Sequence, residues 1–147
     1  MKVSIIGAGN MGGAIARGLS KGTIVQAGNI RVSDVSADHL QALQTFAPEI
    51  SISRTNAEII KDADIIILAV KPWLVETVAK EIEHKIDYKK QFIVSIAAGV
   101  DFEKLSELFD TEASIFRVIP NTAIDILESV TTIAAQKATK EQQDLVL

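Results

Sequence analysis

The sequence has no cysteine, and only two of its 147 residues are histidines. Without thiols, a disulfide framework and a thiolate zinc site are both excluded. His39 and His84 stand far apart in polar stretches with helical spacing, so we expect both to be exposed surface residues. The sequence therefore predicts no metal site.

Long hydrophobic runs and basic runs are also missing. The N-terminal apolar run begins after Met1 and Lys2 and turns at Gly7, before a signal-peptide core or a membrane span could be completed. The 19 acidic and 15 basic residues give a net charge of −4, which argues against nucleic acid or an anionic membrane as the main partner. We therefore expect a cytoplasmic protein whose partners are small molecules or another copy of itself.

The chain is 48% hydrophobic, which is enough for one core in a domain spanning residues 1–147. Short β-branched runs alternate with longer segments of helical spacing, a pattern that indicates βαβ units. The predicted strands are residues 3–6, 30–33, 65–70 and 92–96, with weaker strands at 115–119 and 130–134. The predicted helices are residues 11–21, 37–46, 56–61, 73–85, 101–109 and, beginning another, 139–147.

The run at 65–70 is apolar at every position, which is typical of a central strand covered on both faces. Ser36 and Pro72 stand where the second and fourth helices should begin, because serine caps a helix and proline suits its first turn. The predicted fold class is therefore α/β: a doubly wound, Rossmann-type, mostly parallel sheet with helices on both faces.

A glycine-rich turn follows the first strand and opens the first helix. Gly7 permits the tight turn, Gly9 lets a pyrophosphate approach the backbone, and Gly12 lets the helix pack closely on the strand. The phosphates would lie at the positive end of the helix. The motif thus indicates a site for NAD or NADP, although a glycine-rich turn that merely joins strand to helix is the alternative. The predicted binding residues here are Gly7, Ala8, Gly9, Asn10, Met11 and Gly12.

The end of the second strand should decide between the two dinucleotides. Ser33 and Asp34 stand there, and a carboxylate accepts from a ribose hydroxyl but repels a 2′-phosphate. Asp34 therefore favours NADH, unless it serves only as a turn or N-cap residue. Arg31 and Arg54 are cations that could meet a phosphate, but their spacing selects neither.

Four segments together resemble pyrroline-5-carboxylate reductases. They are the opening motif at 6–12, Ala-Val-Lys-Pro at 69–72 with Asn56 at the spacing of that family, Val-Ser-Ile-Ala-Ala-Gly-Val at 94–100, and Arg-Val-Ile-Pro-Asn-Thr at 117–122. They occur in the right order along the whole chain, and their combination is specific in a way that none is alone.

The resemblance implies reduction of 1-pyrroline-5-carboxylate, a cyclic imine, to proline with NADPH or NADH. It places Asn56 near the adenosine of the cofactor and two residues, Asn121 and Thr122, at the cleft facing the substrate. On the nicotinamide side it places Ala69, Val70, Lys71, Pro72, Ala97 and Ala98. Simpler structural roles are a helix start for residues 71–72, a packed strand end for 97–98 and an N-cap pair for 121–122.

The chain departs from the family at three places. Ala123 follows Asn-Thr where the family usually has proline, and Glu128 and Ser129 stand where it usually has glycine. Asp34 differs from the small or cationic residues of members that prefer NADPH. The family also continues into a helical domain that forms the dimer and carries substrate loops. We therefore expect this domain to bind cofactor with little turnover, and the parent enzyme to be a homo-oligomer.

The implied chemistry is hydride transfer, which requires no protein nucleophile. Lys71 and Thr122 are the cleft-facing candidates for acid–base work, and neither is assigned as catalytic. Two other functions stay open. One is a related NAD(P)-dependent reductase that acts on a β-hydroxyacid or a deazaflavin, and the other is a cofactor-sensing module without catalysis.

Overall fold

The computed structural model describes residues 1–121, 123, 126 and 128–147. The strands in this part of the chain are β1 (Val3–Ile6), β2 (Ile30–Ser33), β3 (Ser51–Ser53), β4 (Ile65–Leu68), β5 (Phe92–Ser95), β6 (Ile115–Ile119) and β7 (Thr132–Gln136). The α-helices are α1 (Asn10–Lys21), α2 (Ala37–Phe46), α3 (Asn56–Ile59), α4 (Val75–Ile82), α5 (Phe102–Leu108) and α6 (Lys140–Val146). Short 3-10 turns lie at Ala27–Asn29, Pro72–Leu74 and Glu83–Lys85.

The strands form one sheet in the spatial order β3-β2-β1-β4-β5-β6-β7. Neighbouring strands are parallel from β3 to β6, whereas β7 returns antiparallel beside β6. The chain first builds outward from β1 through β2 to β3, and then crosses back to place β4 on the other side of β1. The predicted class, a doubly wound and mostly parallel Rossmann-type sheet, is confirmed.

Helices cover both faces of the sheet because the central strand β4 presents apolar side chains on both faces. Ile65 and Ile67 pack with buried residues of α1 and α2, whereas Ile66 and Leu68 pack with those of α3, α4 and α5. All four side chains are buried, and β4 is the middle strand of the seven. The prediction of a central strand from an unbroken apolar run is therefore confirmed.

The structure contains one strand that the sequence pattern does not predict, β3. Its sequence is Ser-Ile-Ser, and it pairs on one side only, with β2, at the edge of the sheet. An edge strand this short carries little apolar surface, so it leaves no hydrophobic periodicity to detect.

Several predicted boundaries also shift. The strands β4 and β5 end at Leu68 and Ser95, although the next N–H groups, of Ala69 and Ile96, still donate to the Ile6 and Leu68 carbonyls of the neighbouring strands. The predicted helix at 73–85 is α-helical only in α4 and is flanked by two 3-10 turns. The strand expected at 130–134 lies at 132–136, since its register pairs Thr132 with Ile119.

Both predicted helix starts are confirmed. The Ser36 hydroxyl accepts a hydrogen bond from the His39 N–H at 3.3 Å, which caps α2. Pro72 occupies the first position of the 3-10 turn that leads into α4. Ser36 and Pro72 thus set where the helical segments begin after β2 and β4, at the edge of the sheet where both strands end.

Gln91 joins two loops from a buried position. Its Nε2 donates to the carbonyls of Ile60 and Ala63, both at 2.8 Å, and its Oε1 accepts from the Asp87 N–H at 2.9 Å. Gln91→Leu leaves the Asp87 N–H and the Ala63 carbonyl without these partners, whereas the Ile60 carbonyl keeps the Ala63 N–H at 3.1 Å. We therefore expect urea denaturation to give a free energy of unfolding lower by about 3 kcal/mol. Gln41→Leu on the exposed face of α2 is the control, with a change below about 0.5 kcal/mol. Equal losses in the two variants would contradict the prediction.

Candidate cofactor-binding cleft

A cleft of about 640 Å³ opens at the edge of the sheet where the parallel strands end. It lies between the loops that follow β1 and β4, the two neighbouring strands from which the chain leaves in opposite directions. Crevices at such switch points are where doubly wound sheets bind ligands. Its volume is within the range of sites that hold small organic molecules.

The structure brings most of the predicted binding residues together around this cleft. They come from the end of β2, from the first residues of α1 and α3, and from the segments that follow β1, β2, β4 and β5. The predicted residues that line it are Gly7, Gly9, Asn10, Met11, Ser33, Asp34, Asn56, Ala69, Val70, Lys71, Pro72, Ala97 and Ala98. Residues scattered over almost a hundred positions of sequence thus meet because the carboxyl ends of parallel strands share one edge.

The glycine loop is shaped by contacts that leave no room for side chains. Gly7 has a φ of 104°, and a Cβ there would lie 2.6 Å from the Ala69 carbonyl oxygen. A Cβ on Gly12 would lie 1.9 Å from the Gly7 carbonyl oxygen and 2.9 Å from the Ala69 Cβ. The turn therefore needs glycine at both positions, the first for its conformation and the second for close packing.

Gly9 differs from its neighbours because the space above it is open. A Cβ built there would meet no atom within 4 Å, and Gly9 is the N-cap of α1 without a side-chain cap. The first turn of α1 contains no acidic residue. The positive end of the helix dipole and its unpaired N–H groups therefore face a free space that suits a phosphate. The residues present fit the dinucleotide that the motif predicts.

Ala8 and Gly12 shape the loop and do not line the cleft. The Ala8 N–H donates to Asp34 Oδ2 at 2.6 Å, and the Gly7 N–H donates to the Ser33 carbonyl at 2.7 Å. These two bonds fix the glycine loop to the end of β2. They set the distance between the place expected for the pyrophosphate and the place expected for the ribose.

Asp34 has the turn role that the sequence left open, and its side chain also lines the cleft. Its Oδ1 accepts from the Ser36 N–H at 2.7 Å, which forms the turn before α2, and its Oδ2 accepts from the Ala8 N–H. His39 Nδ1 lies 3.5 Å from the same Oδ2. The Asp34 side chain is only 12% exposed, but it lines the cleft, so a carboxylate is held rigidly at its rim.

Asn56 is held from two sides. Its Oδ1 accepts from the Ser33 hydroxyl at 2.7 Å, and its Nδ2 donates to Glu81 Oε2 at 2.8 Å. Ser33 is fully buried, whereas Glu81 is exposed on α4. The amide is therefore fixed at the rim of the cleft, close to the end of β2.

One face of the α4 segment also lines the cleft, and the sequence analysis missed it. Leu74, Thr77, Val78 and Glu81 lie at three- and four-residue spacing and face the cavity. The helical spacing of this segment indicates a packed face but not what that face meets. Because the segment follows the predicted cleft loop at 69–72, its first turns were the signal that could have found this wall.

The opposite wall contains two further residues that were not predicted as site residues, Val35 and His39. His39 is exposed, as expected, and yet it borders the cleft beside Asp34. Arg54 donates to the Val35 carbonyl at 2.8 Å, next to this wall, whereas Arg31 donates to the Lys61 carbonyl away from the cleft. Of the two candidate cations, Arg54 is therefore the one near this wall of the cleft.

Asn121, one of the two residues predicted to face the substrate, does not line the cleft. Asn121 is exposed, and its Oδ1 accepts from the Ala123 N–H at 3.0 Å, which makes a local turn after β6. Thr122 lies outside the described residues. A substrate-facing role for either residue stays a prediction.

Residues 1–121, 123, 126 and 128–147 contain no group of three or more His, Cys, Asp or Glu side chains placed to hold a metal, and no helix long and apolar enough to cross a membrane. A second cavity of about 520 Å³ lies between the ends of α4 and α5. Its Tyr88 hydroxyl donates to the Glu83 carbonyl, and partial burial raises the pKa of Tyr88. Glycine-loop residues do not line this cavity.

Comparison with known proteins agrees with the site. The family model described as NADP oxidoreductase, coenzyme F420-dependent, matches residues 2–99. A pyrroline-5-carboxylate reductase of Methanosarcina acetivorans is 38% identical over 136 residues, which cover 92% of this chain and 50% of the relative. The chain spans about half the length of the curated relatives it matches.

Solved structures of pyrroline-5-carboxylate reductases also superpose on this chain. A pyrroline-5-carboxylate reductase from Coxiella burnetii superposes with a TM-score of 0.89 at 26% identity, over 99% of this chain and 53% of that one. The Plasmodium falciparum pyrroline carboxylate reductase, solved with NADP bound, gives a TM-score of 0.87 at 25% identity over 99% and 52%.

Proposed function

The chain belongs to the family described as coenzyme F420-dependent NADP oxidoreductases, and within it we propose that this is the dinucleotide-binding domain of a pyrroline-5-carboxylate reductase. The observation that carries the proposal is the free space above Gly9, at the uncapped N-terminus of α1 and in the cleft between β1 and β4. The similarity to pyrroline-5-carboxylate reductases along nearly the whole chain supports the substrate class.

The residues of the cleft would bind and orient the cofactor. The N–H groups of the first turn of α1 hold the pyrophosphate, and Asn56 and Asp34 hold the adenosine ribose. Ala97 and Ala98 line the nicotinamide end and leave room for the ring. The reduced nicotinamide, when bound, supplies a hydride to the imine carbon, and the imine nitrogen gains a proton to give proline. The protein contribution is orientation, and none of these residues is assigned as an acid or a base.

For the choice of cofactor we propose NADH. The Asp34 carboxylate is fixed at the rim by two backbone N–H groups, where it can accept from a ribose hydroxyl and would repel a 2′-phosphate. A relative solved with NADP shows that the fold also serves the phosphorylated cofactor.

The activity of the whole enzyme is proposed from relatives about twice as long. We propose that substrate binding and dimer formation require a second, helical domain, and that the parent enzyme is a homo-oligomer. A cytoplasmic location stays a prediction from the sequence. This 147-residue chain should then bind cofactor but reduce 1-pyrroline-5-carboxylate slowly.

A titration with NADH and NADPH tests the cleft directly. Trp73 is the only tryptophan of the chain, is 75% exposed, and follows Pro72 at the mouth of the cleft. We expect NADH to quench its fluorescence with a dissociation constant of about 1–100 μM, a value that calorimetry should reproduce. The signal arises because bound NADH covers one face of the Trp73 ring or accepts its excitation energy.

The outcomes separate binding from catalysis. If neither dinucleotide binds by calorimetry, the assignment of the cleft is wrong. If NADH binds and proline forms at the rate of a complete reductase, the requirement for a second domain is wrong. Binding with a low rate of proline formation is the expected result.

One competing function has an observation in its favour. The family model that matches residues 2–99 describes oxidoreductases that use coenzyme F420, a deazaflavin, with NADP. Hydride transfer between NADPH and a deazaflavin would use the same glycine loop. Faster reduction of a deazaflavin than of the cyclic imine by the complete gene product would favour this second function.

A further inference from the structure

We propose that Glu81 is a specificity-determining residue of the cleft, which orients the Asn56 amide and disfavours a 2′-phosphate on the cofactor. The inference rests on the proposed cofactor-binding function of the same cleft. It concerns a residue of α4, an element to which neither the glycine motif nor the resemblance assigns a ligand role.

The orientation of Asn56 depends on Glu81. The Ser33 hydroxyl can donate or accept, so it could bond either end of the Asn56 amide. The Glu81 carboxylate can only accept, so the Nδ2 end must face it, as the 2.8 Å bond between Nδ2 and Oε2 requires. The Asn56 oxygen is thereby left to Ser33, which is fully buried.

This orientation decides what the cleft offers to a ligand. Ser33 and the Asn56 oxygen are already bonded to each other, whereas Asn56 Nδ2 retains a second N–H and Glu81 retains a second carboxylate oxygen. Asn56 and Glu81 both line the cavity. One N–H donor and one carboxylate acceptor match a sugar hydroxyl, which both donates and accepts.

The charge of the same group acts on the phosphorylated cofactor. Glu81 from α4 and Asp34 from the end of β2 line one cleft, and each brings a negative charge. The partner that the structure gives Glu81 is the neutral amide of Asn56, whereas Glu76 on the same helix pairs with Lys80 at 2.7 Å and with Lys104 at 3.2 Å. The Glu81 charge is therefore available to repel a 2′-phosphate.

Binding of two cofactor fragments tests the proposal. ADP-ribose and 2′-phospho-ADP-ribose contain the adenosine half without the nicotinamide, so calorimetry with the 147-residue chain reports on this end of the cleft alone. Glu81→Gln keeps the size of the side chain and removes the charge, and we expect it to improve the affinity for the phosphorylated fragment relative to ADP-ribose about fivefold. Glu83→Gln removes a charge just after α4, outside the cleft, and should leave the ratio unchanged.

A second variant tests the action through Asn56. Glu81→Ala should weaken ADP-ribose binding about fivefold in the wild-type background and only about twofold in an Asn56→Ala background, where the direct contact of its second carboxylate oxygen is all that it can lose. Glu81 is exposed, so the thermal midpoint of its variants should stay close to that of wild type.

The outcomes distinguish failure of the proposed cofactor cleft from failure of the proposed role of Glu81. Failure of the wild-type chain to bind either fragment would overturn the assignment of the cleft itself. Wild-type binding with an unchanged ratio in Glu81→Gln would overturn the role of the charge, and equal losses from Glu81→Ala in both backgrounds would overturn the orienting role.

Discussion

The Gly12→Ala variant should lose about 4 kcal/mol or more of its free energy of unfolding, and cofactor binding with it. The added Cβ would lie 1.9 Å from the Gly7 carbonyl oxygen and 2.9 Å from the Ala69 Cβ. The nearest of these atoms belongs to the backbone of the turn, so the loop cannot give way as a flexible side chain would. Relief requires that α1 move away from β1 and β4, which opens the cleft. Urea denaturation measures the loss of stability, and calorimetry with NADH the loss of binding.

Gly9→Ala gives the opposite signature and is the matched comparison. No atom lies within 4 Å of its added Cβ, and its φ of −67° suits alanine, so stability should change by less than about 1 kcal/mol. The methyl group would enter the space proposed for the pyrophosphate, and we expect affinity for NADH to fall at least about tenfold. Gly28→Ala, exposed and away from the cleft, should change neither quantity. Unchanged NADH affinity in Gly9→Ala would contradict the placement of the pyrophosphate.

The fold could be predicted because its central strands accept only one class of residue. The strand β4 is buried on both faces, and only apolar residues meet that requirement, so residues 65–68 are recognisable without any neighbour. The edge strand β3 has the opposite character. It pairs with β2 alone, and its two serines need no buried environment, so only the completed sheet reveals it.

The site was predictable where the backbone itself forms it. The φ of 104° at Gly7 and the approach of Gly12 to the Gly7 carbonyl oxygen are constraints within one strand-turn-helix unit, and such local constraints leave a motif. The wall formed by Leu74, Val78 and Glu81 has no motif, because those side chains reach the cleft only through the packing of α4 against the sheet. Hydrogen bonds between distant elements, such as that from Asn56 to Glu81, depend on the same packing.

Asp34→Ser should change the preference between NADPH and NADH by about a hundredfold in favour of NADPH. The substitution removes a carboxylate that would repel a 2′-phosphate carrying nearly two negative charges, and Coulomb energies of about 2–3 kcal/mol are expected at such separations near a protein surface. It also removes an acceptor for the ribose hydroxyl of NADH. Arg54, held beside the cleft by its bond to the Val35 carbonyl, would then be a cation available to the phosphate at this wall. Calorimetric titration with both dinucleotides gives the ratio of dissociation constants.

A purely structural role for Asp34 makes a different prediction, and two further variants separate the roles. The carboxylate accepts from Ala8 and Ser36 N–H groups, so Asp34→Ser should also cost about 1–2 kcal/mol of stability. Asp34→Asn retains one acceptor oxygen without the charge, and should shift the preference while losing less stability. Asp38→Ser makes the same change on the exposed first turn of α2 and should alter neither property of the cleft. If the preference moves in none of the Asp34 variants while stability falls, Asp34 only holds the glycine loop to β2, and the choice of cofactor is made elsewhere in the cleft.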